Sequence, residues 1–138
     1  MPFLEAALLC DNAQDYGGKV SILGGFVSIW NCSTFPSDGL PFFVGRVAFD
    51  GDELQVPHSF TISVSDPQSE VIFTASAQVG PSASPKLEGI WVAQGLNIVL
   101  PIPINFSEAG MYLVKIEVDG VELHQLPLQA VLSSQPHA

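Results

Sequence analysis

The side chains that could perform chemistry are few and scattered along this sequence. Its three histidines are His58, His124 and His137, and its two cysteines are Cys10 and Cys32. The sequence contains neither a Gly-x-Ser-x-Gly nucleophile motif nor a Cys-x-x-Cys pair, and no two histidines have the spacing of zinc ligands. We therefore expect no catalytic residue, no cofactor and no metal centre, and interpret the protein as a non-enzyme.

Acidic residues cluster in two predicted loops that could hold a hard cation. Asp11 and Asp15 lie in the first loop, over residues 11–18, and the second contains Asp50, Asp52 and Glu53. Calcium needs six to eight oxygen ligands, which acidic loops between strands can supply. Aspartate is also frequent in turns, because its carboxylate accepts hydrogen bonds from nearby backbone N–H groups. Since no fixed calcium motif is present, solvated turns are the first interpretation and a calcium site is the alternative.

Composition limits the classes of partner that this protein could bind. Of its 138 residues, four are Lys or Arg and fourteen are Asp or Glu, which gives a net charge of −10. Affinity for nucleic acids and for anionic membranes depends on clustered cations, and the four basic residues are scattered. We therefore expect neither a nucleic-acid partner nor a membrane partner.

The two cysteines indicate the redox environment. If residues 3–10 and 19–30 form a hairpin, Cys32 lies about 25 Å from Cys10 at the rise of an extended strand. A disulfide requires Cα atoms within about 7 Å of each other, so we expect two free thiols in a reducing compartment. Residues 1–5 also lack the basic start and apolar core of a signal peptide. Together these features predict a cytoplasmic location.

Alternation of apolar and polar residues predicts β-strands along almost the whole chain. Pro101 and Pro103 remove two backbone donors from the same side of one strand, which predicts a free sheet edge or an edge that another chain covers without needing those donors. We expect an all-β, immunoglobulin-like antiparallel β-sandwich of about eight strands, with a single domain over residues 1–132 and a frayed tail over 133–138. The predicted strands cover residues 3–10, 19–30, 42–50, 60–65, 71–79, 97–105, 112–118 and 121–132.

The most specific local motif is Glu108-Ala-Gly110-Met-Tyr112. In immunoglobulin-like sandwiches a tyrosine at such a corner returns its hydroxyl to the backbone a few residues upstream. We therefore predict that Glu108, Gly110 and Tyr112 form a structural corner rather than part of an active site.

Apolar residues exceed what one small core can hide. Charged residues make up 13% of the chain, about half of the usual share of about 25%. Two predicted strands, over residues 42–50 and 97–105, carry apolar side chains on both faces, so the outer faces need a cover. We predict a homodimer in which Phe42, Val44, Trp91 and Val99 contribute to the interface. The alternative is that the last strand and the loop over residues 80–96 cover these faces within one chain.

Several segments share a pattern that extends over nearly the whole chain: residues 7–13, 18–26, 35–36, 58–67, 106–112 and 118–120. The pattern consists of a Gly-Lys hairpin followed by an apolar strand, a histidine that opens a strand ending in Asp-Pro, and the Gly-x-Tyr corner. In these features the sequence resembles a bacterial family of small β-sandwich proteins of unknown function. The resemblance implies a bacterial, cytoplasmic protein and no activity, and it transfers no functional residue.

These observations favour a non-enzymatic protein-interaction module, which either self-associates or is a subunit of a larger bacterial assembly. The alternative function is a ligand-binding sandwich, in which loop aromatics such as Trp91 stack on a sugar or the acidic loops bind calcium.

Overall fold

The computed structural model describes residues 2–49, 56–79 and 94–133, and this part of the chain contains eleven β-strands and no helix. The structure therefore confirms the all-β prediction. The strands are β1 (Phe3–Tyr16), β2 (Lys19–Gly25), β3 (Ile29–Cys32), β4 (Ser37–Gly39), β5 (Phe42–Phe49), β6 (His58–Ser65), β7 (Val71–Val79), β8 (Gln94–Pro101), β9 (Ile104–Phe106), β10 (Gly110–Val118) and β11 (Val121–Leu132).

The described strands form two larger sheets and one small one. The first has the order β2-β1-β5-β8, the second has the order β3-β11-β10-β6-β7, and β4 pairs with β9. All of these pairings are antiparallel except that of β3 with β11, which is parallel. The described part thus has eleven strands rather than about eight, and it is not wholly antiparallel. The immunoglobulin-like topology is not established by this arrangement.

The two larger sheets pack against each other across one core. Residues at alternate positions of β6 and β10 are buried, as the period-two pattern of these segments requires. They meet apolar residues of the first sheet, including Leu9, Phe43 and Phe49. Burying a side chain of this size contributes about 1.5–3 kcal/mol. The largest fully buried side chains are Tyr112, Phe43, Phe49, Phe106, Leu9, Ile62, Ile102, Ile104, Ile116, Leu128, Val47 and Val64.

The first sheet, hereafter the curled sheet, bends so far that β2 and β8 approach each other although β1 and β5 lie between them. The Asn97 Nδ2 group on β8 donates to the carbonyl oxygen of Gly18 in the β1–β2 turn at 2.8 Å. A second cluster, of Cys10, Ala13 and Val44 with half-buried neighbours on all four strands, fills the concave face. The curl therefore gives the outer face of β5 a cover within the chain.

Three predicted element boundaries are wrong. The loop predicted over residues 11–18 is a continuation of β1, and only Gly17 and Gly18 form the turn, both with positive φ as a two-residue hairpin requires. The strand predicted over residues 19–30 divides, because the chain leaves the curled sheet after Gly25 and enters the other sheet at Ile29. The strand predicted over residues 97–105 is likewise divided, between Pro101 and Ile104.

The crossover, residues 23–29, bonds to both larger sheets. The Val27 N–H donates to the Leu9 carbonyl oxygen of β1 at 2.8 Å, and the Ser28 carbonyl oxygen accepts the Gln129 N–H of β11 at 2.9 Å. A segment of a few residues thus joins the edges of the two sheets through backbone hydrogen bonds.

Cys10 and Cys32 are buried free thiols, which confirms the predicted absence of a disulfide between them. Cys10 pairs with Gly25 in the β1–β2 ladder, whereas Cys32 pairs with Leu132 in the other sheet. Burial raises the pKa of both thiols. Because the thiolate is the reactive form, both cysteines are poor nucleophiles in the folded protein.

The closure of the curled sheet can be tested at Asn97. Its Oδ1 accepts from Arg46 Nη1 at 2.7 Å while its Nδ2 bonds Gly18. We expect Asn97→Ala to lower the free energy of unfolding by about 1–2 kcal/mol, because it removes one charged and one neutral hydrogen bond. Urea unfolding would measure this change.

The matched control is Asn105→Ala, which removes an exposed hydrogen bond to Asp38 and should change the free energy of unfolding by less than about 0.5 kcal/mol. Equal losses in the two variants would show that Asn97 does not hold the curl.

Candidate functional site

The structure brings the predicted corner residues Glu108, Gly110 and Tyr112 together. Tyr112 is fully buried, and its hydroxyl donates to the Glu108 carbonyl oxygen at 2.9 Å. The Glu108 N–H in turn faces the same hydroxyl oxygen at 3.4 Å. The Tyr112 ring meets Phe106 edge to face, with 5.0 Å between the ring centroids. The Tyr112 hydroxyl is therefore hydrogen-bonded to the backbone, and its ring is packed in the core.

Gly110 allows the corner to lie against the β6–β7 turn. Its φ is +145°, and a Cβ atom at this position would lie 2.7 Å from Pro67 Cγ. Any side chain here would both strain the backbone and displace that turn. The corner thus connects two hairpins of the five-stranded sheet.

Three of the four residues predicted to form an interface, Phe42, Val44 and Val99, lie on the concave face of the curled sheet. Val44 is 8% exposed, and Phe42 and Val99 are half-buried beside it in the second cluster. Trp91 lies outside the described residues. A role of these side chains in binding another chain stays a prediction, and their own sheet already covers most of the Val44 surface.

The acidic residues do not converge on a cation site in the described parts of the chain. Asp15 Oδ1 accepts from the Gly18 N–H at 3.2 Å across the β1–β2 turn, as a turn aspartate does. Asp50, Asp52 and Glu53 lie outside the described residues. Within residues 2–49, 56–79 and 94–133, no group of three or more His, Cys, Asp or Glu side chains could hold a metal ion.

His58 and Asp119 form a pair that the sequence pattern did not indicate. His58 Nδ1 lies 2.6 Å from Asp119 Oδ2, and the imidazole is packed on Phe49 with 5.0 Å between the ring centroids. Because a carboxylate only accepts hydrogen bonds, Nδ1–H is the donor. Asp119 Oδ1 accepts from the Ser59 N–H at 2.9 Å. The pair therefore fastens the β10–β11 turn to the start of β6.

A histidine held by a carboxylate can serve in acid–base catalysis when its other nitrogen reaches a substrate. His58 is only 7% exposed, which leaves little of the ring for such contact. The hydrogen bond from His58 lowers the pKa of the Asp119 carboxyl, and the bond from the Ser59 N–H lowers it further. The pair is best interpreted as a structural link.

Phe26 is the most unusual exposed residue in the described chain. It is 81% exposed and has φ +60°, a conformation that is a clear outlier for a bulky side chain. Leu23 and Ile29, at the two ends of the crossover, are 69% and 50% exposed. Sequence reasoning missed this feature, although an apolar residue directly after two glycines was its signal.

An open cleft of about 690 Å³ lies between Pro2–Ala7 and Val121–His124. We call it the edge cleft. In the described structure β1 pairs with β5 from Phe3 onward but with β2 only from Cys10 onward. Likewise, β11 pairs with β3 only from Gln129 onward. The cleft is therefore bordered by two strand edges that no described strand covers.

The fold and these sites define an all-β protein with two large sheets around one core, an exposed Phe26 at the crossover and an open cleft between two strands. Residues 5–131 match the model of a family described as a family of unknown function (DUF6941), and the chain belongs to that family. No curated protein matches the chain. The described residues also contain no helix that is long and apolar enough to span a membrane.

The contribution of the Tyr112 hydroxyl to stability can be tested by removing it. We expect Tyr112→Phe to lower the free energy of unfolding by about 1–3 kcal/mol, because the Glu108 carbonyl loses its partner in a buried position. Tyr16→Phe is the control, since Tyr16 is 61% exposed and should change stability by less than about 0.5 kcal/mol. Equal stability of the two variants would rule out a role for the hydroxyl.

The Asp119 link predicts a pH dependence. Because folding lowers the pKa of Asp119, its contribution is present above the unfolded-state pKa of about 4. It is lost as the pH falls through the folded-state value. The stability difference between the wild type and Asp119→Asn should therefore shrink below about pH 4.

Asparagine tolerates the positive φ of 52° at position 119, so the variant keeps the turn. Glu70→Gln, at an exposed carboxylate, controls for the change in net charge. A wild-type-to-Asp119→Asn difference that is constant from pH 7 to pH 3 in urea unfolding would contradict the link.

Proposed function

We propose that this protein is a non-enzymatic, cytoplasmic protein-interaction module that forms a homodimer or acts as a subunit of a larger bacterial assembly. The observation that carries the proposal is the exposure of Phe26 in a strained backbone conformation. A strained residue persists only where the surrounding structure holds it, and such residues concentrate at functional sites. A large aromatic ring is also a typical anchor of a protein–protein interface.

The rest of the described surface supports this proposal. Exposed apolar groups on a protein with few charges favour contact with other proteins when they form patches. Three of them, Leu23, Phe26 and Ile29, belong to the crossover, residues 23–29. The exposed large hydrophobic side chains are Phe3, Tyr16, Ile22, Leu23, Phe26, Ile29, Leu40, Val56, Val71, Ile72, Met111, Val121 and Leu132.

Net charge modulates the proposed self-association. Two copies that each carry a charge of −10 repel one another, and salt screens this repulsion over a Debye length of about 10 Å at 0.1 M. Dimerisation through apolar side chains should therefore strengthen as the salt concentration rises. Binding to a cationic partner would show the opposite dependence.

The immunoglobulin-like class of sandwich belongs to this proposal as well. The tyrosine corner formed by Glu108 and Tyr112 supports it. The parallel pairing of β3 with β11 and the curl of the first sheet distinguish the chain from a regular antiparallel sandwich. Interaction modules use many sheet topologies, so the proposed function does not depend on this assignment.

Sedimentation equilibrium of Phe26→Asn tests the proposed function. We expect the wild type to be a dimer at micromolar concentration and the variant to dimerise about a thousandfold more weakly, since each of the two copies loses an aromatic anchor worth about 2 kcal/mol. Asparagine also tolerates positive φ better than phenylalanine, so the thermal stability of the monomer should not decrease.

Val71→Asn is the matched control, because Val71 is 64% exposed but lies on β7. A wild type that remains a monomer at both low and high salt would exclude the homodimer. A Phe26 variant that dimerises as well as the wild type would remove the crossover from the interface.

A further inference from the structure

The edge cleft is lined by the same two strands that the crossover joins. The crossover bonds to Leu9 on β1 and to Gln129 on β11. The cleft lies between earlier stretches of these strands, Pro2–Ala7 and Val121–His124. The chain thus bonds to one part of each strand edge, and no described strand pairs with the part that lines the cleft.

The β1 border of the cleft can accept a further strand. The backbone groups of Phe3–Leu8 that do not pair with β5 point away from it, as in any strand that is paired on one side only. The register with β5 shifts between Leu4 and Ala6, so the regular alternation begins at Ala6. The Phe3–Leu8 stretch contains no proline and spans about 20 Å at the rise of an extended chain. Beyond the stretch that lines the cleft, β11 contains Pro127, which lacks a backbone donor and interrupts that edge. The β1 edge is therefore the better template.

The overall charge of the chain, rather than the charge of the cleft lining, favours a cationic occupant. Among the residues that line it, Glu5 and Glu122 are the two carboxylates, His124 is the single histidine, and none is Lys or Arg. Glu5 contacts Arg46 at 2.9 Å and Glu122 contacts Lys115 at 3.6 Å, so these pairs are close to neutral. The net charge of −10 then sets the sign of the long-range field, which repels a second copy and attracts a basic chain.

We propose that an extended segment of a partner protein, with Lys or Arg at alternate positions, adds as a strand to the Phe3–Leu8 edge of β1. Main-chain hydrogen bonds supply the affinity in this mode of recognition, and alternate side chains supply the specificity. The exposed side chains of Phe3 and Val121, which are 47% and 43% exposed, flank the added strand. This inference rests on the proposed interaction function and assigns it a second surface, separate from Phe26.

Hydrogen exchange with defined peptides tests the inference. The probes are two capped heptapeptides, one alternating Val with Lys and one alternating Ile with Arg. At saturation, at least one of them should slow exchange at alternate amides of Phe3–Leu8 by at least about tenfold. The amides of Val71–Val79, on the β7 edge that no described strand covers, should be unaffected. Equal protection of both edges would show nonspecific strand pairing and overturn the proposal.

Two peptide controls separate backbone pairing from charge attraction. The same sequence with alternate backbone nitrogens methylated cannot donate to β1, and it should lose at least about tenfold in affinity. A peptide with Glu in place of Lys should not bind detectably at 1 mM. Equal affinity of the methylated peptide, or binding of the acidic peptide, would contradict strand addition by a cationic segment.

Protein variants locate the site. Glu5→Gln/Glu122→Gln should weaken binding of the cationic peptide about tenfold, whereas Glu70→Gln/Glu117→Gln, with the same change in net charge, should weaken it less than threefold. Thermal melting verifies that both variants are folded. Equal weakening would place the peptide elsewhere.

Phe26→Asn should leave the affinity for the peptide unchanged. Failure of both cationic peptides to protect Phe3–Leu8, together with a wild type that dimerises, would overturn strand addition and leave the proposed function standing. Protection of Phe3–Leu8 in a wild type that remains a monomer would uphold strand addition and exclude the homodimer.

Discussion

The backbone link between the two large sheets is the constraint on which the other features depend. Leu9 on β1 and Gln129 on β11 are joined through backbone hydrogen bonds to Val27 and Ser28, so the two sheets are fixed to each other at these positions. To make both bonds within so few residues, the chain has to turn sharply, and Phe26 adopts a positive φ in that turn. The exposure of the Phe26 ring and the start of the β1–β2 ladder at Cys10 both accompany this one connection.

A second constraint is burial on both faces of β5. A strand in a two-sheet sandwich normally has one solvent-exposed face. β5, however, is apolar almost throughout and is buried along most of its length. The curl resolves this conflict, because β2 and β8 come together over the outer face and enclose Val44. A chain with so few charged residues is thereby able to hide apolar groups that a flat sheet would expose.

The sequence predicted the features that depend on local pattern. Alternation gave the strand class and most of the core, and the Glu108–Tyr112 motif falls where the structure places a buried tyrosine bonded to the backbone. Features that depend on long-range geometry could not be predicted. The curl, which covers Val44, arises from contacts between strands distant in sequence, and the Asp119–His58 pair joins residues 61 positions apart. The Asp-Gly turn was recognisable from its residue types, but the partner of its carboxylate was not.

The parallel pairing of β3 with β11 has a consequence for biosynthesis. Ile29 pairs with Gln129, one hundred positions later. This edge of the sheet can therefore close only after the ribosome has synthesised the last strand. Closing so long a loop has a high entropic cost, and folds rich in such distant contacts assemble slowly. Until then Trp30 and Cys32, which end buried, are without the strand that holds them. The nascent protein therefore exposes part of its apolar surface until the last strand is available, and chains in that state are prone to aggregate.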